Sequence, residues 1–191
     1  MVLGLSHHRH VRRHQIEMGA QVEAERLIHQ ALDHPDGDLR TVRHLPGEGV
    51  GGLAELRGGR IVKRAEIQKP DSLGLFYAAI TDYLGFALND GEFRVMGMAS
   101  YGDASKADLS GLVTTRGGDL RIDTDFVWAP RGKRWHGRSF GRALVERLGP
   151  PREGDEIDEP YVHIAAAAQR MLEQATVALI EHHLGEVLRR T

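Results

Sequence analysis

Gly91 and Glu92 set a carboxylate directly after a residue that permits close backbone approach, at a point where the flanking pattern predicts the start of a helix. The first turn of a helix presents free N–H groups and the positive end of its dipole, so a carboxylate there can serve either the helix or a bound hydroxyl-bearing ligand. Spacing alone favours the plain helix start. A second candidate is the run Pro46-Gly47-Glu48-Gly49-Val50-Gly51-Gly52, in which unhindered backbone N–H groups could approach an anion. Without further context such a run is an ordinary connection between strands. The third is histidine. Seven of the eleven histidines precede residue 45, and His10 and His14 would share one helical face with the spacing of a two-imidazole metal site. Arg9, Arg12 and Arg13 oppose a cation there, and no acidic third ligand stands close by, so a solvated basic segment is the favoured reading.

The elements that must position these groups follow from periodicity. After Asp71 or Ser72, either of which can cap, Leu73, Phe76, Ile80 and Tyr83 or Leu84 recur at three- and four-residue steps and predict a helix closed by Gly85. Asn89 and Asp90 are the expected caps of the short helix that carries Glu92. Upstream, Met18, Val22, Leu27, Ile28 and Leu32 support a helix over 15–32, stopped by residues 34–38. Two strands at 53–56 and 60–68 read as a hairpin through Gly58 and Gly59, and 112–115 with 120–122 read as a second through Gly117 and Gly118. Phe126, Trp128, Trp135 and Phe140 lie among Arg131, Lys133, Arg134, His136 and Arg138. That mixture suits a stacking surface for nucleic acid or a packed loop beside a cleft, and its short extent favours the loop. From Pro160 a long helix carries Tyr161, Ile164, Ala165, Ala168, Leu172, Ala175, Leu179 and Leu184 at helical spacing. Carboxylates at 155–159 precede it and Arg189 and Arg190 end it, as the helix dipole favours; His182 and His183 fall on its surface.

The 191 residues are 41% hydrophobic and 27% charged, the balance of an ordinary globular protein with one substantial domain. A net charge of −2 supplies no overall drive toward nucleic acid or an anionic membrane, so neither is expected as a partner. The absence of cysteine excludes a disulfide framework and thiolate metal sites. No stretch reaches the ~20 apolar residues of a membrane span, and no signal peptide opens the chain, so a cytoplasmic location is expected.

Ser72-Leu73-Gly74-Leu75, Tyr83-Leu84-Gly85-Phe86 and the segment Gly91-Glu92-Phe93-Arg94-Val95-Met96-Gly97-Met98-Ala99-Ser100-Tyr101-Gly102 together resemble the signature of the O-carbamoyltransferases of antibiotic biosynthesis and nodulation-factor modification. Phe93 and Arg94 stand where that family has tyrosine and lysine, and Leu148-Gly149-Pro150-Pro151-Arg152 is similar to its later turn. The resemblance covers about residues 46–190, which divides the chain into a divergent histidine-rich segment, 1–45, and a partial carbamoyltransferase N-terminal domain, 46–191.

It implies an α/β fold, part of an actin-like (sugar kinase/Hsp70-type) ATPase domain with hairpins and a long C-terminal helix. It also implies carbamoyl transfer from a carbamoyl-adenylate, made from carbamoyl phosphate and ATP, to a hydroxyl of a small molecule, with a divalent metal ion such as iron in the complete enzyme. On this resemblance Gly49, Val50 and Gly51 line the anion or metal side, and Gly91, Glu92 and Gly102 the nucleoside side. Glu48 and Gly52 fall where the family has an aspartate and a glutamate, so its carboxylate pattern is altered here. The chain is expected to be an incomplete enzyme that needs a C-terminal half or an adjacent chain; the alternative is a noncatalytic scaffold of the same family.

Overall fold

The computed structural model describes residues 49–57, 60–128 and 133–188. The expected helix over 15–32 and the His10/His14 pair lie outside them. The described residues divide between two units, 54–57 with 60–63 in the first and 49–53 with 64–128 and 133–188 in the second. Of the first, the described part is the end of a hairpin made by β1 (Gly49–Arg57) and β2 (Arg60–Gln68), where Ile61 and Val62 are exposed.

The second unit holds the rest. Its described elements are α1 (Leu73–Tyr83), α2 (Glu92–Ala99), the strands β3 (Val113–Arg116) and β4 (Asp119–Ile122), the short α3 (Arg142–Leu148) and the long α4 (Tyr161–Leu188). The architecture is α/β, with two small antiparallel sheets among the described residues and a helix at the end of the chain. In β3–β4 Val113 pairs with Ile122 and Arg116 with Asp119. Gly117 and Gly118, both at positive φ, make the two-residue turn that this register requires.

α4 is the axis of the unit. Ala165, Ala167 and Ala168 are buried on it, and their small side chains let α2, α1 and β3 come close. α2 makes the most extensive contact, burying Val95 and Met98. α1 forms where the three- and four-residue spacing predicts it, with Phe76, Ile80, Tyr83 and Leu84 in the core. Ser72 caps it, its hydroxyl accepting the Leu75 N–H at 3.3 Å, and Gly85 follows at φ +77. Asp71 has another task, accepting from Ile122 N at 2.8 Å and Arg121 Nη1 at 2.9 Å, which fixes β4 to the start of α1.

The cap of α2 differs from expectation. Gly91, not Asn89 or Asp90, is the N-cap, with no side-chain bond, and Asn89 sits at φ +65 with its N–H donated to Glu92 Oε1 at 3.0 Å. Glu92, the first residue of the helix, thus ties back to a backbone N–H two residues ahead of the N-cap.

The described part of the aromatic stretch is a packed loop. Val127 and Phe140 are fully buried and bridge one another, Trp128 Nε1 donates to Leu75 O, and the Arg147 guanidinium lies 4.0 Å from the centre of the Phe126 ring. His182 and His183 abut the β3–β4 turn, with His183 Nε2 2.8 Å from Gly118 O.

Candidate functional site

Two polar groupings form around α2, one at each end. At its start, Tyr77 comes from α1, Glu92 from the first position of α2, and Gln169 with Glu173 from one face of α4. The buried Tyr77 hydroxyl donates to Gln169 Oε1 at 2.8 Å, and Gln169 Nε2 donates to Glu173 Oε1 at 2.7 Å, as their four-residue spacing on a helix allows. Burial, helped by the Glu173 and Glu92 carboxylates, pushes the Tyr77 phenol up to about 12. The phenol therefore stays protonated and acts as a fixed donor. This end of α2 carries negative charge, an environment suited to hydroxyls and hostile to phosphate.

Gly91 lies buried at the same end. A Cβ on it would stand 2.5 Å from Phe86 Cβ and 2.8 Å from Ala87 O, so the glycine is required by its own chain. Glu92 is half-buried, with one oxygen on the Asn89 N–H and the second unengaged among the described residues.

At the far end, Gly102 is pressed on α4 so closely that a Cβ would overlap the Val162 carbonyl and come within 2.9 Å of Ala166 Cβ. The turn that follows is tied down by three contacts. Asp103 N donates to His163 Nδ1 at 2.9 Å, Arg170 Nη2 donates to Ala104 O at 2.6 Å, and Lys106 Nζ stands 3.5 Å from Glu159 Oε1. Glu159 also lies 3.0 Å from His163 Nε2, and the imidazole beside it is the main cause holding its carboxyl below the usual range.

The residues singled out in the sequence are therefore distributed. Gly91 and Glu92 stand together, and the eight residues of α2, at about 1.5 Å per residue, separate them from Gly102 by on the order of 12 Å. Gly49, Val50 and Gly51 lie within β1, where a loop ahead of the strand was expected. Gly52 there permits close approach of β2, since its Cβ would stand 2.8 Å from Ala65 O. Among the described residues no group of three histidine, aspartate or glutamate side chains is placed to hold a metal ion. No described helix is long and apolar enough to cross a membrane.

Sequence reasoning missed Tyr77, Gln169, Glu173 and His163. Tyr77 lies among apolar helix positions, and the apolar spacing that predicts α4 gives no role to the polar residues between. The detectable signal was the Gln169/Glu173 pair four residues apart in an alanine-rich helix.

The remaining motif residues form a clamp at the exit of α1. Tyr83 Oη donates to the carbonyls of Gly149 and Pro150, at 2.9 and 3.1 Å, and burial raises its phenol far above the ordinary value. Arg152, 4% exposed, donates from Nη1 to Leu84 O at 3.0 Å and from Nε to Glu156 O at 2.9 Å, while its backbone N–H bonds Tyr83 O at 3.0 Å. Its guanidinium lies 5.0 Å from the centre of the Phe86 ring. Gly85 makes room, because a Cβ there would stand 2.9 Å from Arg152 O. Beside the clamp, the Asp82 carboxylate accepts from Arg138 Nε at 2.6 Å, Ser139 N at 2.8 Å and Ser139 Oγ at 2.6 Å.

A family model described as carbamoyltransferase N-terminus matches residues 52–189. Three curated relatives each align with about two thirds or more of the chain. Nodulation protein NolNO of Sinorhizobium fredii is 30% identical over 141 residues, 72% of this chain and 19% of that protein. Nodulation protein NolO of Bradyrhizobium diazoefficiens is 28% identical over 143 residues, 72% and 23% respectively. An uncharacterized protein of Synechocystis, sll1178, is 30% identical over 128 residues, 64% of this chain and 20% of the relative. The chain spans about a fifth of the length of these relatives. With the family model covering most of the sequence, the chain belongs to the carbamoyltransferase N-terminus family.

Proposed function

We propose that this chain is the segment of an O-carbamoyltransferase that helps to seat a carbamoyl-adenylate for transfer to a hydroxyl of a small molecule or sugar-containing natural product. The observation that carries the proposal is the family match over residues 52–189, which includes the whole Gly91–Gly102 segment. In the transfer the acceptor oxygen bonds the carbamoyl carbon, the bond from that carbon to the phosphate oxygen breaks, adenylate leaves, and the hydroxyl proton passes to a base.

Glu92 is the residue of this chain with a role to play. Its unengaged oxygen can accept from ribose hydroxyls, while the bond from Asn89 N holds the carboxylate in place. The negative surroundings made by Glu92 and Glu173 favour hydroxyl over phosphate, so the phosphate side is assigned to the backbone around Gly49, Val50 and Gly51. The described residues offer no ligand set for iron or another divalent ion. ATP and carbamoyl phosphate would act in the remaining polypeptide, of an actin-like domain and beyond, within a cytoplasmic enzyme. This segment alone is then expected to be inactive.

The test uses the complete polypeptide that carries this segment. Glu92→Gln should weaken adenylate binding or slow carbamoyl transfer at least about tenfold, roughly 1.4 kcal/mol. Unchanged affinity and rate would remove Glu92 from the site. Transfer by the 191-residue chain alone would overturn the claim that it is a part.

A further inference from the structure

The turn after α2 is held by a bond that only one protonation state of its acceptor can make. Asp103 N–H donates to His163 Nδ1 at 2.9 Å, which requires a lone pair on Nδ1 and so places the ring's proton on Nε2. The imidazole is 6% exposed, and Nε2 lies 3.0 Å from Glu159 Oε1 but outside hydrogen-bonding alignment. A second proton would have to go on Nδ1. Two N–H groups would then face each other at a separation where one bond existed before.

The neighbouring charges do not cancel this conflict. Glu159 favours an imidazolium, but its carboxylate is shared with Lys106 Nζ at 3.5 Å and is largely exposed, so its pull is screened. The Asp103 carboxylate is engaged by Ser105, accepting from its N–H at 2.9 Å and its hydroxyl at 2.7 Å. Arg170 acts on the same turn through Ala104 O. In the turn itself the ionisable Tyr101 that precedes Gly102 is exposed, and on α2 Glu92 and Arg94 stand at the opposite end of the helix.

We propose that His163 is a positioning residue whose neutral imidazole latches the Gly102–Asp103 turn onto α4, and that acid opens this latch. The turn is released at Asp103 and remains tethered at Ala104 by Arg170. Its bearing on catalysis rests on the proposed carbamoyltransferase function and on the nucleoside-side place that the family resemblance implies for Gly102: an open turn leaves that side of the site unformed, so the complete enzyme would lose adenylate affinity on acidification.

The latch is tested on the 191-residue chain without any activity measurement, so its failure and that of the carbamoyltransferase reading are separable. Nitrogen NMR of the ring at about pH 7.5 should show a bare Nδ1 and a protonated Nε2. Between about pH 7.5 and 5.5, the exchange protection of the Asp103 amide, corrected for intrinsic rates, should fall about tenfold in the native chain. His163→Asn, whose Oδ1 can accept the same N–H and does not titrate, should hold that protection within about twofold over the same range. A proton on Nδ1 at the higher pH, native protection that ignores pH, or an equal fall in His163→Asn would each overturn the proposal. The ring spectrum needs no variant, so a poorly folded substitution leaves the test intact.

Discussion

The exit of α1 and the start of α2 are both motif segments built from glycine, an aromatic residue and a charge, and they are finished differently. At the exit, Gly85 admits the Arg152 carbonyl, and Tyr83 and Arg152 direct their polar atoms to carbonyls of the chain itself. At the start, Gly91 is equally crowded, but the charge beside it is half-buried and keeps an oxygen unengaged. A motif resemblance weights both segments alike. What separates them is hydrogen-bond satisfaction: groups whose capacity is filled internally maintain the fold, and a polar group left with capacity at a surface can hold something else.

The comparison is strained hardest at Arg152. Arg152→Met keeps the apolar stem but removes the donors to Leu84 O and Glu156 O, one of them deep in the core. The expected loss is about 3 kcal/mol, from charged hydrogen bonds and a stranded carbonyl. For a chain of this size that lowers Tm by about 6–12 °C in calorimetry or a dye-free melt. A loss below about 0.5 kcal/mol would mean that the clamp is not what closes this region. Next in size is Asp82→Asn, which removes the charge that Arg138 and Ser139 address; about 2 kcal/mol should be lost in urea titration, with an unchanged slope.

α1, the long α4 and the β3–β4 hairpin were legible because each is local: apolar spacing, a capping Ser72 and a Gly-Gly turn state them within a few residues. The cap of α2 was misread because Asn89 and Asp90 are good caps by type, while the selection there is steric. Only glycine fits against Phe86 and Ala87 at position 91, and the helix begins behind it. Tyr77, Gln169 and His163 were out of reach for a related reason. Tyr77 meets Gln169 across 92 residues and Asp103 meets His163 across 60, and no periodicity encodes a contact between two helices at such separation. The glycines at 49–51 looked like a loop because composition cannot tell a flexible run from a strand that needs room for its neighbour.

Tyr77 sharpens the comparison from the open side. Its phenol, raised from 10 to about 12, gives the folded state an advantage that is complete below pH 10 and lost as the pH climbs to 12, because the unfolded chain ionises first. Tyr77→Phe should cost about 1 kcal/mol at neutral pH through the bond to Gln169. It should also flatten the alkaline fall in stability, leaving the share carried by Tyr83, which is raised as well. An alkaline transition as steep as in the native chain would show that the Tyr77 phenol carries no part of the alkaline fall and is not raised by its burial between α1 and α4.

The smallest stability effect belongs to Glu92, and it decides whether the two segments differ at all. Its carboxylate sits in the first turn of α2, where attraction to the dipole and free N–H groups contributes about 0.3–1 kcal/mol at an exposed site. Glu92→Gln gives up the charge but keeps an oxygen that can still accept from Asn89 N. It also thins the negative charge that Glu92 and Glu173 together place around Tyr77. The two changes oppose each other, and the net effect on the 191-residue chain should fall within about 0.5 kcal/mol. Read by urea titration at low and high salt, the difference should shrink further as the charges are screened. If Glu92→Gln instead costs as much as Asp82→Asn, the start of α2 is closed in the same manner as the exit of α1, and its carboxylate belongs to the fold.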